Sequence, residues 1–180
     1  MQRTPEPELM DDLEQARAYA EADFAEPHQA FVRHFQERFP DFEGGEVLDL
    51  GCGPADVTMR FARAYPAVAI DGVDGAEAML ALGREMLARE GLAERVTLRC
   101  VRLPAAMAGR YDAQYDAILS NSLLHHLADP MVLWETVART AKPGAPVFVM
   151  DLLRPHSIAE AERLTATHAG DAPEVLRKDF

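Results

Sequence analysis

Residues 46–58, EVLDLGCGPADVT, place a carboxylate (Asp49), two glycines (Gly51 and Gly53) and a cysteine (Cys52) where a short apolar run turns. Glycines at such a turn let a ligand approach the backbone closely. A dinucleotide fingerprint needs a third glycine for close helix–strand packing, and Asp56 stands there instead. In the first turn of a helix Asp56 suits the helix dipole but opposes a pyrophosphate. No Gly-Lys-Ser/Thr follows, so a phosphate loop of the Walker type is excluded. Cys52 has no charged neighbour in sequence to activate it as a redox thiol. Asp49 lies in a run that would be continuously apolar if buried on both faces of a parallel sheet. It therefore needs donors, either backbone N–H groups of the turn or a ligand, and favours a cationic ligand over a diphosphate.

A second group with chemical potential is SNSLLHHLADP, residues 120–130, which carries the adjacent pair His125 and His126. In a helix the two rings would point to different faces. Arg154, in LLRP, is a third candidate, able to meet an anionic group or to pair with a surface acid.

These residues fall at the ends of alternating elements. EVLDL, AVAIDGVD, RVTLRCV, YDAILSN and APVFVMDLL read as five strands, the last ending near Leu153. PADVTMRFARAYP reads as a helix with Pro54 in its first turn, AEAMLALGREMLAREG as one closed by Gly91, and PMVLWETVARTAKPG as one that stops before Pro143. Between the third and fourth strands lies a loop with Pro104 and Gly109. Residues 8–39 are helically periodic, with a break expected at Pro27. The pattern predicts an α/β fold: a Rossmann-like, doubly wound, mostly parallel sheet with helices on both faces and an N-terminal helical cap. Ligands of such sheets bind beyond the carboxyl ends of the strands at the switch point. The glycine turn and the ends of the second and fourth strands belong to that edge.

The chain has 180 residues, enough for one domain with a proper core. A net charge of −12 argues against a broad nucleic-acid or anionic-membrane surface. Half of that charge lies in residues 1–26, where eight carboxylates face only Arg3 and Arg17; this reads as a solvated arm. Nothing approaches the roughly 18 apolar residues of a membrane span, and no secretory signal core is present, so a cytoplasmic location is expected. Cys52 and Cys100 lack metal-site spacing; free thiols are expected, and no metal.

With these pieces in place, the stretch from Val47 to Pro155 resembles class I S-adenosylmethionine-dependent methyltransferases of the ubiquinone/menaquinone-biosynthesis type. The matching segments, in order, are VLDLGCGPADVT, IDGVDGAEAMLALG, YDAILSNSLLHHLADP, LWETVARTAKPG and FVMDLLRP. The resemblance implies S-adenosylmethionine as cofactor, with S-adenosylhomocysteine as product. Gly51, Cys52 and Gly53 would approach its methionine moiety, and Asp49 would support the turn and the ammonium end. Asp74, with Gly75 beside it, would accept both ribose hydroxyls, since a carboxylate can take two such bonds; the alternative is that Asp74 only caps the next helix. Met79 would lie against the adenine, or serve as plain core. The family's usual acid after the third strand is absent, so backbone groups around Arg102 and Leu103 would meet the adenine. Ser120 and Asn121 would hydrogen-bond the methionine end.

Methyl transfer gains chiefly from alignment and exclusion of water, so a general base is needed only for an acceptor that must lose a proton. His125 is the candidate for that role and for contact with the substrate. Arg154 and the inner-face residues Tyr19, Asp23 and Phe24 of the N-terminal segment are the other substrate-side candidates. Residues 1–42 form the expected cap and 43–180 the cofactor-binding domain. The family's sixth and seventh strands have no counterpart after Leu153, which leaves an open sheet edge. A homodimer through that edge is one expectation. The leading function is methyl transfer to a small molecule; a shortened, non-catalytic binding or partner subunit is the alternative, and a nicotinamide oxidoreductase is a distant third.

Overall fold

The structure, a computed structural model, describes residues 9–103 and 114–168. The loop with Pro104 and Gly109, the acids Glu6 and Glu8, and the final RKDF lie outside the described residues. Five parallel strands form one sheet: β1 (Gly45–Leu50), β2 (Val68–Asp74), β3 (Val96–Cys100), β4 (Ala117–Asn121) and β5 (Val147–Met150). Their order is β3-β2-β1-β4-β5, so the chain reverses direction across the sheet between β1 and β4. That reversal creates the switch point where a doubly wound sheet opens a crevice. Among the described residues six helices accompany it: α1 (Leu13–Glu21), α2 (Ala25–Arg38), α3 (Asp56–Ala64), α4 (Glu77–Arg89), α5 (Met131–Thr140) and α6 (Ile158–His168).

One sheet face is covered by α2, α3 and α4. Its core joins Val47, Ile70, Leu98 and Leu119 to Phe31, Phe35 and Phe61. Phe35 is its hub, with the rings of Phe39, Phe42, Phe61, Tyr65 and Phe148 within 5.8 Å. The opposite face is covered by α5, through Leu133 against Leu48 and Ile118. That cover does not extend over the whole sheet. On this face β2 and β3 present Asp71 and Arg99, whose guanidinium donates to Asp71 at 3.1 Å while the Tyr115 hydroxyl donates to the other oxygen at 2.9 Å. Helices lie on both faces of the sheet, as expected, and among the described residues β2 and β3 also carry this polar network on the α5 side.

The N-terminal acids do not form a solvated arm from Leu9 onward. Asp12 caps α1 by accepting the N–H groups of Glu14 and Gln15, and Asp11 accepts the Ala78 N–H of α4 at 3.1 Å. The break between α1 and α2 falls at Ala22–Phe24 rather than at Pro27. Pro27 sits in the first turn of α2, where a missing N–H costs no helical bond. Similarly, Pro54 precedes α3, because Ala55 adopts a left-handed conformation (φ +67°) and delays the helix to Asp56. Strand β5 ends at Met150, three residues before Leu153.

Candidate active site

The glycine turn occupies the carboxyl end of β1, in the crevice. Gly51, Gly53 and Ala55 all have positive φ, at +75°, +52° and +67°, a conformation that costs an alanine roughly 1–2 kcal/mol. Such strain collects where the backbone must present groups to a ligand. The two glycines serve different ends. A Cβ on Gly51 would meet Leu123 at 2.8 Å, so the loop after β4 lies directly against the turn. A Cβ on Gly53 would meet nothing within 4 Å, so here the backbone faces open space. Helix α3 starts without a side-chain cap, which leaves its first-turn donors directed toward that space.

Two carboxylates brace this turn. Asp74, the last residue of β2, accepts the Gly53 N–H at 2.8 Å on one oxygen and the Ala76 N–H at 2.8 Å on the other. Burial raises its carboxyl above the usual range despite these bonds. The Gly75 N–H also acts on this carboxylate, and of its roughly four acceptor sites capacity remains for a ribose hydroxyl. Asp49 lies beneath the turn, 2% exposed. Its partner is the Thr58 hydroxyl of α3, which donates at 2.6 Å, and not the backbone of the turn. Burial pushes Asp49 up to about 6, with Asp74 adding to the rise and Thr58 and His28 opposing it. An anionic pocket floor of this kind suits a cationic ligand. The cradle at Gly53, the hydroxyl-accepting Asp74 and the buried Asp49 together fit an adenosyl sulfonium.

Residues 47–144 match the family model described as a methyltransferase domain. The chain belongs to that family. Among curated proteins it is 33% identical over 119 residues to a ubiquinone/menaquinone biosynthesis C-methyltransferase from Geobacter sulfurreducens, covering 64% of this chain and 44% of that one. It is 30% identical over 132 residues to a demethylmenaquinone methyltransferase from Halalkalibacterium halodurans, covering 71% and 51%. The chain thus spans about half the length of these curated relatives. Among solved structures, a putative S-adenosyl-L-methionine-dependent methyltransferase from Methanococcus maripaludis superposes with a TM-score of 0.72 at 15% identity, covering 94% of this chain and 76% of that one. At that identity the likeness speaks for the fold.

Within this methyltransferase domain the expected site residues divide. Asp49, Gly51, Gly53, Asp74 and Gly75 converge on the crevice. Cys52 contributes only backbone: its side chain is buried beneath Gly72, and burial, with Asp49 and Asp74 nearby, holds the thiol protonated. Met79 is packed with Ala16 and Ala76 beneath Leu9, Met10 and Tyr19, so α1 covers the place where an adenine was expected to rest on it. Leu9 also reaches the Cα side of Gly75, 2.7 Å from where a Cβ would stand. The segment Leu9–Asp11 therefore forms the wall at this end. Arg102 is exposed and Leu103 half-buried, beside Val101, whose N–H donates to the Asp74 carbonyl at 2.8 Å.

Ser120 departs from expectation: its hydroxyl donates to the Leu50 carbonyl at 3.0 Å in a fully buried position, tying β4 to β1. Asn121 closes β4, half-buried. Tyr19 is half-buried on α1 with its ring 5.0 Å from that of Phe24, and burial, with the charges of Asp74 and Asp56, pushes its phenol up to about 12. Asp23 is not on α1. It lies beyond the end of α1, exposed, and accepts the Ala25 N–H at 3.1 Å as a cap for α2. Arg154 is exposed four residues past β5. The segment with the histidine pair is a turn, not a helix, and the rings of His125 and His126 lie 4.0 Å apart, tilted by 41°.

Two partners were not visible in the sequence. His28, buried on α2, bonds the Asp56 carboxylate through Nδ1 at 2.7 Å, and Arg60 donates to the same oxygen at 2.8 Å. Asp56 is thereby neutralised, so the argument against a pyrophosphate rests on Asp49 and Asp74 rather than on Asp56. Asp151, directly after β5, bonds His125 Nδ1 at 2.7 Å. Neither pairing has a local signal, since 28 and 26 residues separate the partners.

Proposed function

We propose that this domain binds S-adenosylmethionine in the crevice at the carboxyl end of β1, flanked by the ends of β2 and β4, and directs its methyl group to a small-molecule acceptor. When bound, that molecule supplies a methyl carbon on a positively charged sulfur. The observation that carries the reading is Asp74: its carboxylate closes β2 and holds the N–H of Gly53, a glycine whose Cβ would touch nothing. Asp74 would accept a ribose hydroxyl, Asp49 would attract the cationic methionine end from below, and Tyr19 would close the mouth as a neutral donor. Gly75 and the backbone at Arg102 and Leu103 would border the adenine, with Leu9 as its apolar wall. Asn121 and Leu123 would shape the methyl-transfer side. The names of the curated relatives support a methyl-transfer role, and an acidic chain supports a metabolite over a nucleic acid.

Calorimetric titration with S-adenosylhomocysteine tests this. Micromolar binding that is lost in Asp74→Ala is expected; absence of binding by folded protein refutes it.

A second reading, binding without turnover as a partner subunit, is favoured by the β5 edge. Among the described residues β5 has no strand on its outer side. An open groove of about 670 Å³ lies there, lined by Phe39, Phe148, Val149 and the 41% exposed Trp134. Pairing of two copies along this edge would cover it. Light scattering of the wild type and of Trp134→Glu distinguishes a dimer, which the variant would split, from a monomer.

A further inference from the structure

We propose that His28 is a binding residue for the amino-acid end of the cofactor: Asp56, braced by Arg60, holds its ring through Nδ1, and Nε2 accepts an N–H of the ligand's ammonium group. This rests on the S-adenosylmethionine reading and adds a specificity. The crevice selects adenosyl ligands that carry an amino acid over those that do not.

His28 lies in the first turn of α2, buried, with its ring 5.4 Å from that of Phe24, which in turn lies 5.0 Å from Tyr19. This row leads from α1 to the start of α3, where Asp56 follows directly on the glycine turn. His28 Nδ1 meets the Asp56 carboxylate at 2.7 Å, and Arg60 Nε donates to the same oxygen at 2.8 Å. Arg60 also donates to Gln29 Oε1 at 3.3 Å, so α2 and α3 together fix the ring. Burial opposes ionisation of Asp56, but the bonds from His28 and Arg60 prevail and hold its carboxyl below the ordinary value. An ionised carboxylate accepts only, so Nδ1 is the donor, and the neutral ring has its lone pair on Nε2. Among the described residues no protein group hydrogen-bonds Nε2, and the side chain keeps 11% exposure.

The surrounding charges define the kind of group this nitrogen would meet. Burial raises Asp49 beneath the turn, and a charge on His28 is among the effects that oppose the rise, so the two side chains are within electrostatic reach of each other. Tyr19 responds, after burial, to Asp74 and Asp56, which sets α1 over the space between those acids. An ammonium group over the glycine turn would find two acceptors, the Asp49 carboxylate and His28 Nε2. The carboxylate of the same amino acid would find the backbone N–H groups of α3, whose first turn has no side-chain cap. A zwitterion thus matches the arrangement better than a single charge of either sign.

The test compares S-adenosylhomocysteine with 5′-methylthioadenosine, which has the same adenosine and thioether but no amino acid, by calorimetric titration of the full chain. His28→Asn keeps an amide N–H where Nδ1 stands, so the Asp56 bond survives and Nε2 is removed. The variant is expected to bind S-adenosylhomocysteine about tenfold more weakly or worse, the loss of a hydrogen bond to a charged group, and to bind methylthioadenosine as the wild type does. Equal weakening of both ligands, which a purely structural tie between α2 and α3 would give, overturns the proposal, and so does weakening of neither. Nitrogen spectra of ¹³C,¹⁵N-labelled wild type decide the matter even if the variant does not fold. His28 is expected to carry its proton on Nδ1, and its Nε2 resonance to shift with S-adenosylhomocysteine and not with methylthioadenosine. An Nε2 that responds to both alike, or to neither, overturns the proposal. Wild type that binds the two ligands equally removes the specificity and leaves the cofactor reading standing; folded wild type that binds neither overturns both.

Discussion

Removing the Thr58 hydroxyl while keeping its shape, in Thr58→Val, should change how this domain binds a cation as a function of pH. Asp49 is buried, and the Thr58 donor at 2.6 Å is the side-chain hydrogen bond that favours its charged form. A hydrogen bond to a charged group is worth about 1.5–3 kcal/mol, and one pKa unit corresponds to about 1.36 kcal/mol. The substitution should therefore raise Asp49 by about one to two units from its value of about 6. If the ionised form binds the cationic ligand, apparent affinity scales with the ionised fraction. Near pH 7 the wild type is mostly ionised and the variant about half or less, so affinity should fall about two- to tenfold. Calorimetric titration with S-adenosylmethionine across the neutral range should place the wild-type midpoint near 6 and the variant's higher, with Thr58→Ser close to wild type. Wild-type affinity that is flat with pH, or a variant midpoint that does not move, would refute the reasoning.

Asp49 has a linked effect on stability. Its folded value lies above the unfolded 3.8, so the folded chain holds a proton that the unfolded chain has lost in between. That contribution is complete below about pH 3.8 and gone above about 6, and amounts to at most about 3 kcal/mol. Urea denaturation of Asp49→Asn at acid and neutral pH should lack this component of the wild-type profile. Asp56 behaves oppositely: burial raises it, but the bonds from His28 and Arg60 prevail and hold it below 3.8. The stabilisation is therefore present above the unfolded value and lost as pH falls. His28→Gln should cost about 1–3 kcal/mol at neutral pH and flatten the acid limb of the stability curve; an unchanged limb would contradict the pairing. Gly53→Ala should lower stability by only about 1–2 kcal/mol, from backbone strain, yet weaken S-adenosylhomocysteine binding. Gly51→Ala should destabilise more, because Leu123 and the loop after β4 must move; equal melting temperatures would argue against that contact. Phe35→Ala should cost about 3–5 kcal/mol by chemical denaturation, since five rings pack around it.

Strand and helix order were legible in the sequence because periodicity and Pro/Gly punctuation are local properties. EVLDL reads as a short buried strand, and the glycines after it mark a turn with a carboxylate close before it. The strand sequence also implied the switch point, since βαβ crossovers have a fixed hand, and with it the placement of Gly51, Gly53 and Asp74 on one edge. The partners of polar side chains were not legible. Asp49 needed donors, but whether backbone or Thr58 supplied them depended on how α3 lies across β1. Ser120 and Asn121 are adjacent on β4, yet alternation across the strand buried one hydroxyl on Leu50 and left the other residue at the edge. Asp23 and Tyr19 would share one helical face if the helix ran to Pro27, but α1 ends at Glu21, two residues before Asp23. His125 became more than half of an adjacent pair only when β5 was laid beside β4, which brought Asp151 to its ring. Sequence determined the elements and the edge at which a ligand can sit, because those follow from short-range sterics and burial. Tertiary structure decided which charges are paired, because hydrogen bonds of 2.6–2.8 Å join residues that only packing brings together.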